Sequence, residues 1–330
     1  MTLEPLWQEL LEHAEPGHGE GVLRRRVHPA SPLDLFVGVR HPGRQRVLLL
    51  HSRQWDPTVR LPETGGLRCS VSEVEDGWEL EVAQAREEFT EVFVALCSDL
   101  VDSVGGIADE TLALARILGR LQRWQALLKR VPVPGLTLEE QRGLFGELVV
   151  LRNHVMSALG AEASVNAWTG SAGSWHDFET ELLSLEVKTT AASAPHSFHV
   201  ASEKQLSAGA RPLYVGLLQV DVEEHGGLSL PELVTLTRRD LVQAPGAVEA
   251  FNDKLLEWGY LDSHEARYAT PGYRLGRLRL YEVREGFPRI TEESLPEGVG
   301  DLRYTVSVSA CEPFAVDDGT LPDLLRHASR

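Results

Sequence analysis

The hydrophobic pattern changes period twice along the chain. Up to about residue 90 it alternates: Leu35-Phe36-Val37-Gly38-Val39, residues 47–50 and Trp78-Glu79-Leu80-Glu81-Val82 read as strands between turns. Residues 3–11 read as a short amphipathic helix. From Glu88 the period becomes helical, with Phe89, Phe93, Leu96 and Leu100 on one face and a second helix predicted over residues 109–130. Val131-Pro132-Val133-Pro134-Gly135 stops it, because proline cannot continue the hydrogen-bond ladder and restricts the residue before it. Beyond the stop, Thr137 and Glu140 form a capping box that opens a helix running to about Leu159, ahead of Gly160. A Gly/Ser-rich loop over residues 169–174 follows, then a strand from about Trp175, a strand over 185–190 and a short one at Phe198-His199-Val200. A brief helix over 202–208 and an apolar run over 213–220, suited to a strand covered on both faces, complete the order. The pattern predicts four regions: a β-rich N-terminal domain (1–90), a helical connector (91–134), a mixed αβββαβ core (135–225), and a helical and strand extension (226–330).

Composition narrows the class. The chain has 330 residues, of which 42% are hydrophobic and 25% charged, an ordinary balance for a globular chain of two domains. No apolar run approaches the ~20 residues of a membrane helix, and the start of the chain carries acids where a secretory signal carries basic residues. Cys69, Cys97 and Cys311 are too dispersed for a metal knuckle and suit a reducing, cytoplasmic setting. The net charge of −17 argues against a protein that coats nucleic acid, since that requires many basic side chains to replace counterions. The acid is concentrated between residues 131 and 260, where 8 basic residues face 17 acidic ones.

That acidic third holds the candidate chemistry. Glu147 lies three residues after Leu144 and four before Leu151, which sets a carboxylate on the apolar stripe of its helix, where it needs a partner or a cation. Glu186-Val187-Lys188 begins nine positions after Asp177. A hairpin turning between Glu181 and Leu182 sets Asp177 opposite Glu186, an unfavourable like-charge pair unless a divalent cation lies between them. Alternation directs Lys188 to the same face as Glu186. An acid on a helix, two on strands and a lysine make a site for cleaving phosphodiesters.

The segments Gly143-Leu144-Phe145-Gly146-Glu147-Leu148, Trp175-His176-Asp177-Phe178 and Glu186-Val187-Lys188-Thr189-Thr190 resemble the PD-(D/E)xK nuclease superfamily, in particular its members from bacterial restriction and phage-defence gene clusters. The resemblance covers about residues 137–221. It implies an α/β (α+β) fold with a mixed sheet flanked by helices, Mg²⁺ as cofactor with Mn²⁺ able to substitute, and cleavage of DNA. By position, Asp177 and Glu186 are the implied metal ligands, with the backbone carbonyl of Val187 as a further one. Lys188 is the implied catalytic lysine and Glu147 the helix acid. His176 stands where the motif name places a proline. Gln205 matches a glutamine that some branches carry after the third strand. The expected partners are DNA and either a second copy or a defence-system protein, with neither a membrane nor a nucleotide cofactor. The competing reading is a catalytically inactive nuclease fold that docks a protein.

Two basic groups are further candidates for DNA contact. Arg116, Arg120 and Arg123 fall at helical spacing, and Arg267, Arg274, Arg277, Arg279, Arg284 and Arg289 interleave with Tyr268, Tyr273 and Tyr281. His196 and His199 flank the third strand. Phosphate-loop, HExxH and G-x-S-x-G patterns are missing from the sequence.

Overall fold

The computed structural model describes residues 3–13, 21–29, 31–55, 61, 67–130, 135–170, 174–191, 197–207, 209 and 211–327. Pro132, Pro134, residues 171–173, Ala208 and His196 lie outside them. Internal contacts divide the chain into two compact units, Met1–Gly135 and Leu136–Arg330.

In the first unit, alternating segments become an antiparallel sheet behind helix α1 (Glu4–Glu12). Its strands are β1 (Gly21–Val27), β2 (Asp34–His41), β3 (Gln45–Ser52), β4 (Leu67–Val74) and β5 (Gly77–Gln84), in the order β1-β2-β3-β5-β4. Helices α2 (Thr90–Ser103) and α3 (Glu110–Arg130) follow. The Trp7 indole anchors α1 by donating to the Gly38 carbonyl at 3.0 Å and packs on Phe93 of α2 at 5.5 Å between ring centroids. The pairing of α2 with α3 corrects one expectation. Arg120 is buried: its Nε donates to Asp99 Oδ2 at 2.9 Å, Nη2 grips Oδ1, and the Trp124 indole donates to Oδ2 at 2.8 Å. Ile117, Leu121 and Trp124 turn this side of α3 inward, so Arg120 cannot belong to a stripe open to DNA, and half-buried Arg116 and Arg123 do not form one with it.

The second unit opens as the capping box predicts. Helix α4 (Leu138–Val150) starts at Thr137, whose hydroxyl accepts from the Glu140 N–H while the Glu140 carboxylate accepts from the Thr137 N–H at 2.8 Å. It widens into a π-helical turn over Leu151–Val155 and finishes as α5 (Met156–Leu159), with Gly160 (φ 80°) ending it and α6 (Ala161–Ala167) following. Strands β6 (Phe178–Glu179), β7 (Ser184–Thr190), β8 (Ser197–Val200) and β9 (Leu213–Glu223) come next, then α7 (Leu230–Asp240), α8 (Pro245–Trp258), α9 (Glu265–Tyr268) and β10 (Gly272–Glu282). The unit closes with β11 (Tyr304–Ser307), α10 (Val308–Cys311), β12 (Ala315–Val316) and α11 (Leu321–His327).

The main sheet runs β12-β10-β9-β7-β6, antiparallel except for the parallel pair β7–β9. This is the mixed α/β architecture the sequence predicts. As its apolar run requires, β9 is covered on both faces: Tyr214, Leu218 and Val220 join the core under α4 and α8, while Leu213, Val215 and Leu217 join a second core under β8 and β11. Three details differ from the expectation. The first core strand has only two residues, the third (β8) hydrogen-bonds β11 in a separate ribbon instead of joining the main sheet, and the brief helix is a 3₁₀ turn over Glu203–Leu206. Phe198 and Val200 alternate inward on β8, which lets it lie across the sheet as a cover.

Helix α4 crosses β7 closely because residue 146 is glycine. A Cβ there would stand 1.7 Å from Thr189 Oγ1 and 2.9 Å from Thr189 Cβ. Alanine normally gains ~1 kcal/mol over glycine inside a helix, but β-branched Thr189 is stiff and overpacking costs about 1–3 kcal/mol. Gly146→Ala is therefore expected to lower the urea midpoint of the protein, and adding Thr189→Ala should recover part of that loss; equal losses with and without Thr189→Ala would show that this contact does not set the helix position.

Candidate active site

Strand β6 ends the pairing early. It registers Phe178 with Leu185 and Glu179 with Ser184, and the same register places Asp177 opposite Glu186, as the hairpin reading expects. With no further β6 residue to accept it, the Val187 N–H donates to Asp177 Oδ2 at 2.6 Å. A strand residue directs its N–H and C=O to the same side, so the Val187 carbonyl faces this open edge as well. Asp177 is fixed through its own carbonyl, which accepts from the Thr169 N–H (2.9 Å) and hydroxyl (3.0 Å).

Glu186 and Lys188 project from β7 on the face shared with Val215 and Leu217 of β9. Lys188 Nζ lies 2.7 Å from Glu186 Oε1 and donates to Gln205 Oε1 at 2.9 Å. The same Gln205 oxygen accepts from the Ala201 N–H at 2.9 Å, so the amide is held from the backbone while it holds the lysine. Glu186 is 1% exposed and its Oε2 has no hydrogen-bond partner among the described residues.

Glu147 enters from α4, buried. Its Oε2 accepts from two indoles, Trp168 at 2.8 Å and Trp258 at 3.2 Å, and its carboxyl is within hydrogen-bonding reach of Asp177. Trp168 follows α6 and Trp258 ends α8. Lys254, one turn before Trp258, ties the two helices together by donating to the Val165 carbonyl at 2.5 Å and to the Trp168 carbonyl, which satisfies the end of α6. Neither indole is legible in the sequence, since nothing links residues 168 and 258 to residue 147 before the helices are packed.

Crowding of acids governs the electrostatics. Burial and then the Asp177 charge push the Glu186 carboxyl up to about 8, against the pull of Lys188. Burial, reinforced by Asp177, holds Glu147 well above the carboxylate range, although the Trp168 indole favours its ionised form. Burial also raises Asp177, against the Lys188 charge and the Val187 N–H. For Lys188, burial works against the ammonium, yet Glu186 and Asp177 outweigh it and keep its pKa above the ordinary value. Among the described residues no group of three or more His, Cys, Asp or Glu side chains is arranged as a metal cage. A two-carboxylate site is nonetheless sufficient for Mg²⁺, which keeps several waters.

The remaining candidates are placed as follows. His176 turns its Nδ1 toward Glu179 Oε1 at 3.4 Å, and its buried Nε2 has no partner among the described residues. His199 is on the exposed face of β8 and bonds Thr305. Tyr268, Tyr273 and Tyr281 are core residues, 0–3% exposed, and cannot stack on bases. Among the arginines of that stretch, Arg274 faces Asp221 and Glu223, Arg279 faces Glu312 and Arg284 faces Glu282, while Arg277 is exposed on β10. The patch is charge-balanced along β10 instead of being an open basic field.

The sequence profile of a family described as "Putative PD-(D/E)XK family member, (DUF4420)" matches residues 3–309. No curated protein and no solved structure matches the chain. A match that runs through nearly the whole chain, over a mixed sheet that brings Asp177, Glu186 and Lys188 together, places the protein in this PD-(D/E)XK family.

Proposed function

We propose that the protein is a Mg²⁺-dependent endonuclease that hydrolyses DNA phosphodiester bonds, acting in bacterial restriction or phage defence. The observation that carries this reading is the unpartnered Glu186 Oε2, buried beside Asp177. A buried carboxylate oxygen that no donor satisfies is a standing cost to the fold, and a hard divalent cation is the group that removes it. Asp177, Glu186 and the Val187 carbonyl would hold the ion with oxygen donors only, which suits Mg²⁺ or Mn²⁺. When bound, it supplies Lewis-acid polarisation of the phosphate and a more acidic water.

The chain's own residues supply the rest. Lys188, kept cationic by its two carboxylate neighbours and oriented by Gln205, meets the charge that develops on the phosphate. Glu147, pinned by two indoles, orients Asp177 from behind. The short β6 leaves the Val187 N–H and carbonyl unpaired by a strand, as a substrate or metal at this edge would require.

Two measurements test this. In a plasmid-nicking assay with Mg²⁺, Lys188→Ala and Asp177→Ala are each expected to slow cleavage about 100-fold or more; unchanged nicking in both variants would sink the mechanism and favour the docking module. The second measurement is pH-dependent stability. Because the folded-state pKa of Glu186 is raised to about 8 from its ordinary 4.5, the folded state binds more protons in that window, and stability falls as pH rises from about 4.5 to 8. The melting temperature of the metal-free protein should therefore drop over this range, less so for Glu186→Gln. Mn²⁺ should restore it at pH 8 in the wild type alone; an equal Mn²⁺ response in Glu186→Gln would remove Glu186 from the metal site.

A further inference from the structure

Trp175 is exposed beside the site. It retains 54% of its surface, and among the described residues no other Phe, Trp or Tyr is left so open. It stands two residues before Asp177. Its ring carries the Lys204 ammonium at 4.5 Å from the centroid, and Lys204 immediately precedes Gln205, the residue that holds Lys188. The contact thus joins the segment bearing Asp177 to the 3₁₀ turn bearing Gln205. Unlike Arg274, Arg279 and Arg284, Lys204 forms no ion pair among the described residues. An exposed indole carrying an ammonium that no close ion pair holds among the described residues, with the neighbouring Glu203 carboxylate sensing its charge, matches the two chemical halves of a nucleotide. Bases stack on aromatic rings and phosphates take the adjacent ammonium.

We propose that Trp175 and Lys204 hold an unpaired nucleotide next to the scissile bond, so that the substrate class is single-stranded DNA, or duplex DNA with an unpaired base at the cut. This rests on the nuclease reading and deepens it. A fully stacked duplex offers Trp175 no base face; a single strand does. The ammonium holds the ring until a base arrives, then moves to the neighbouring phosphate, because base stacking on an indole exceeds what an exposed cation contributes there. Arg289, which donates to the Leu206 carbonyl at 2.8 Å, holds the C-terminal end of the same turn and keeps Lys204 in place.

The test uses the full chain with Ca²⁺ in place of Mg²⁺, which permits binding without cleavage. Anisotropy of a fluorescein-labelled oligothymidylate is compared with that of a G·C-rich blunt duplex. Trp175→Ala should weaken oligothymidylate binding about tenfold or more and leave the duplex within about twofold, while Trp175→Phe keeps most of the affinity. Lys204→Ala should lower the slope of log K against log salt on the single strand by about 0.7. No oligothymidylate binding by the wild type, no effect of Trp175→Ala, or an equal loss on both oligonucleotides would overturn the inference. The two readings fail separately. Single-strand binding that depends on Trp175, without cleavage in Mg²⁺, retires the nuclease reading and keeps the grip; Mg²⁺ cleavage of oligothymidylate that Trp175→Ala leaves unchanged does the reverse.

Discussion

Repulsion between carboxylates is the constraint on which the second unit is built. Asp177 and Glu186 face each other across the end of a two-residue strand, and Glu147 closes on Asp177 from a helix. An uncompensated buried charge costs several kcal/mol, and a hydrogen bond to a charged group returns only about 1.5–3 kcal/mol. The compensation present is one ammonium, one backbone N–H and two indole N–H groups for three acids. It falls short, so the carboxyls hold protons that ordinary carboxylates would have released. On the proposed function, a cation would relieve this deficit in exchange for protons.

Much of the surrounding architecture delivers the partial compensation. Helix α4 can bring Glu147 to the sheet because Gly146 lets it lie on Thr189. Helix α8 belongs to the stretch that the sequence sets outside the core, yet its last residue carries the second indole, and Lys254 one turn earlier fixes α6 and thereby the first. The stretch after residue 225 is thus part of the site. Strand β6 contributes through its shortness: one more pairing would take the Val187 N–H away from Asp177 and close the edge that Asp177 and the Val187 carbonyl face.

The sequence makes the local part of this legible and misses the collective part. The capping box at Thr137 and Glu140, the stop at Gly160 and the two-sided strand β9 all follow from neighbouring residues and period, and they appear where the pattern puts them. So does the register of Asp177 against Glu186, because a tight turn leaves little freedom. Trp168 and Trp258, by contrast, meet only after three helices pack, and no spacing encodes that. Arg120 and the tyrosines fail for a related reason. Spacing places Arg120 on a stripe but does not disclose that Asp99 waits under it, and the tyrosines between the β10 arginines alternate into the core. Period identifies which residues share a face; it does not say whether that face meets solvent.

Net charge then limits how this site can meet DNA. At −17 the whole molecule repels a polyanion, and the β10 arginines are already matched by Asp221, Glu223, Glu312 and Glu282. Repulsion of this kind is felt over the Debye length, about 8 Å at physiological salt, whereas contacts at the site act within hydrogen-bonding distance. Added salt therefore works in opposite directions on the two terms: it screens the approach and weakens the phosphate contacts. With few cations at the site, the contact term has a shallow slope, and moderate salt should cost this protein less affinity than it costs a basic DNA-binding protein. On the proposed function, the remaining affinity would come from base stacking, which salt does not screen, and from a cation held at short range between the carboxylates. On that proposed function, the exposed Trp175 indole and a cation at the carboxylates are the contacts with DNA that the net charge least opposes.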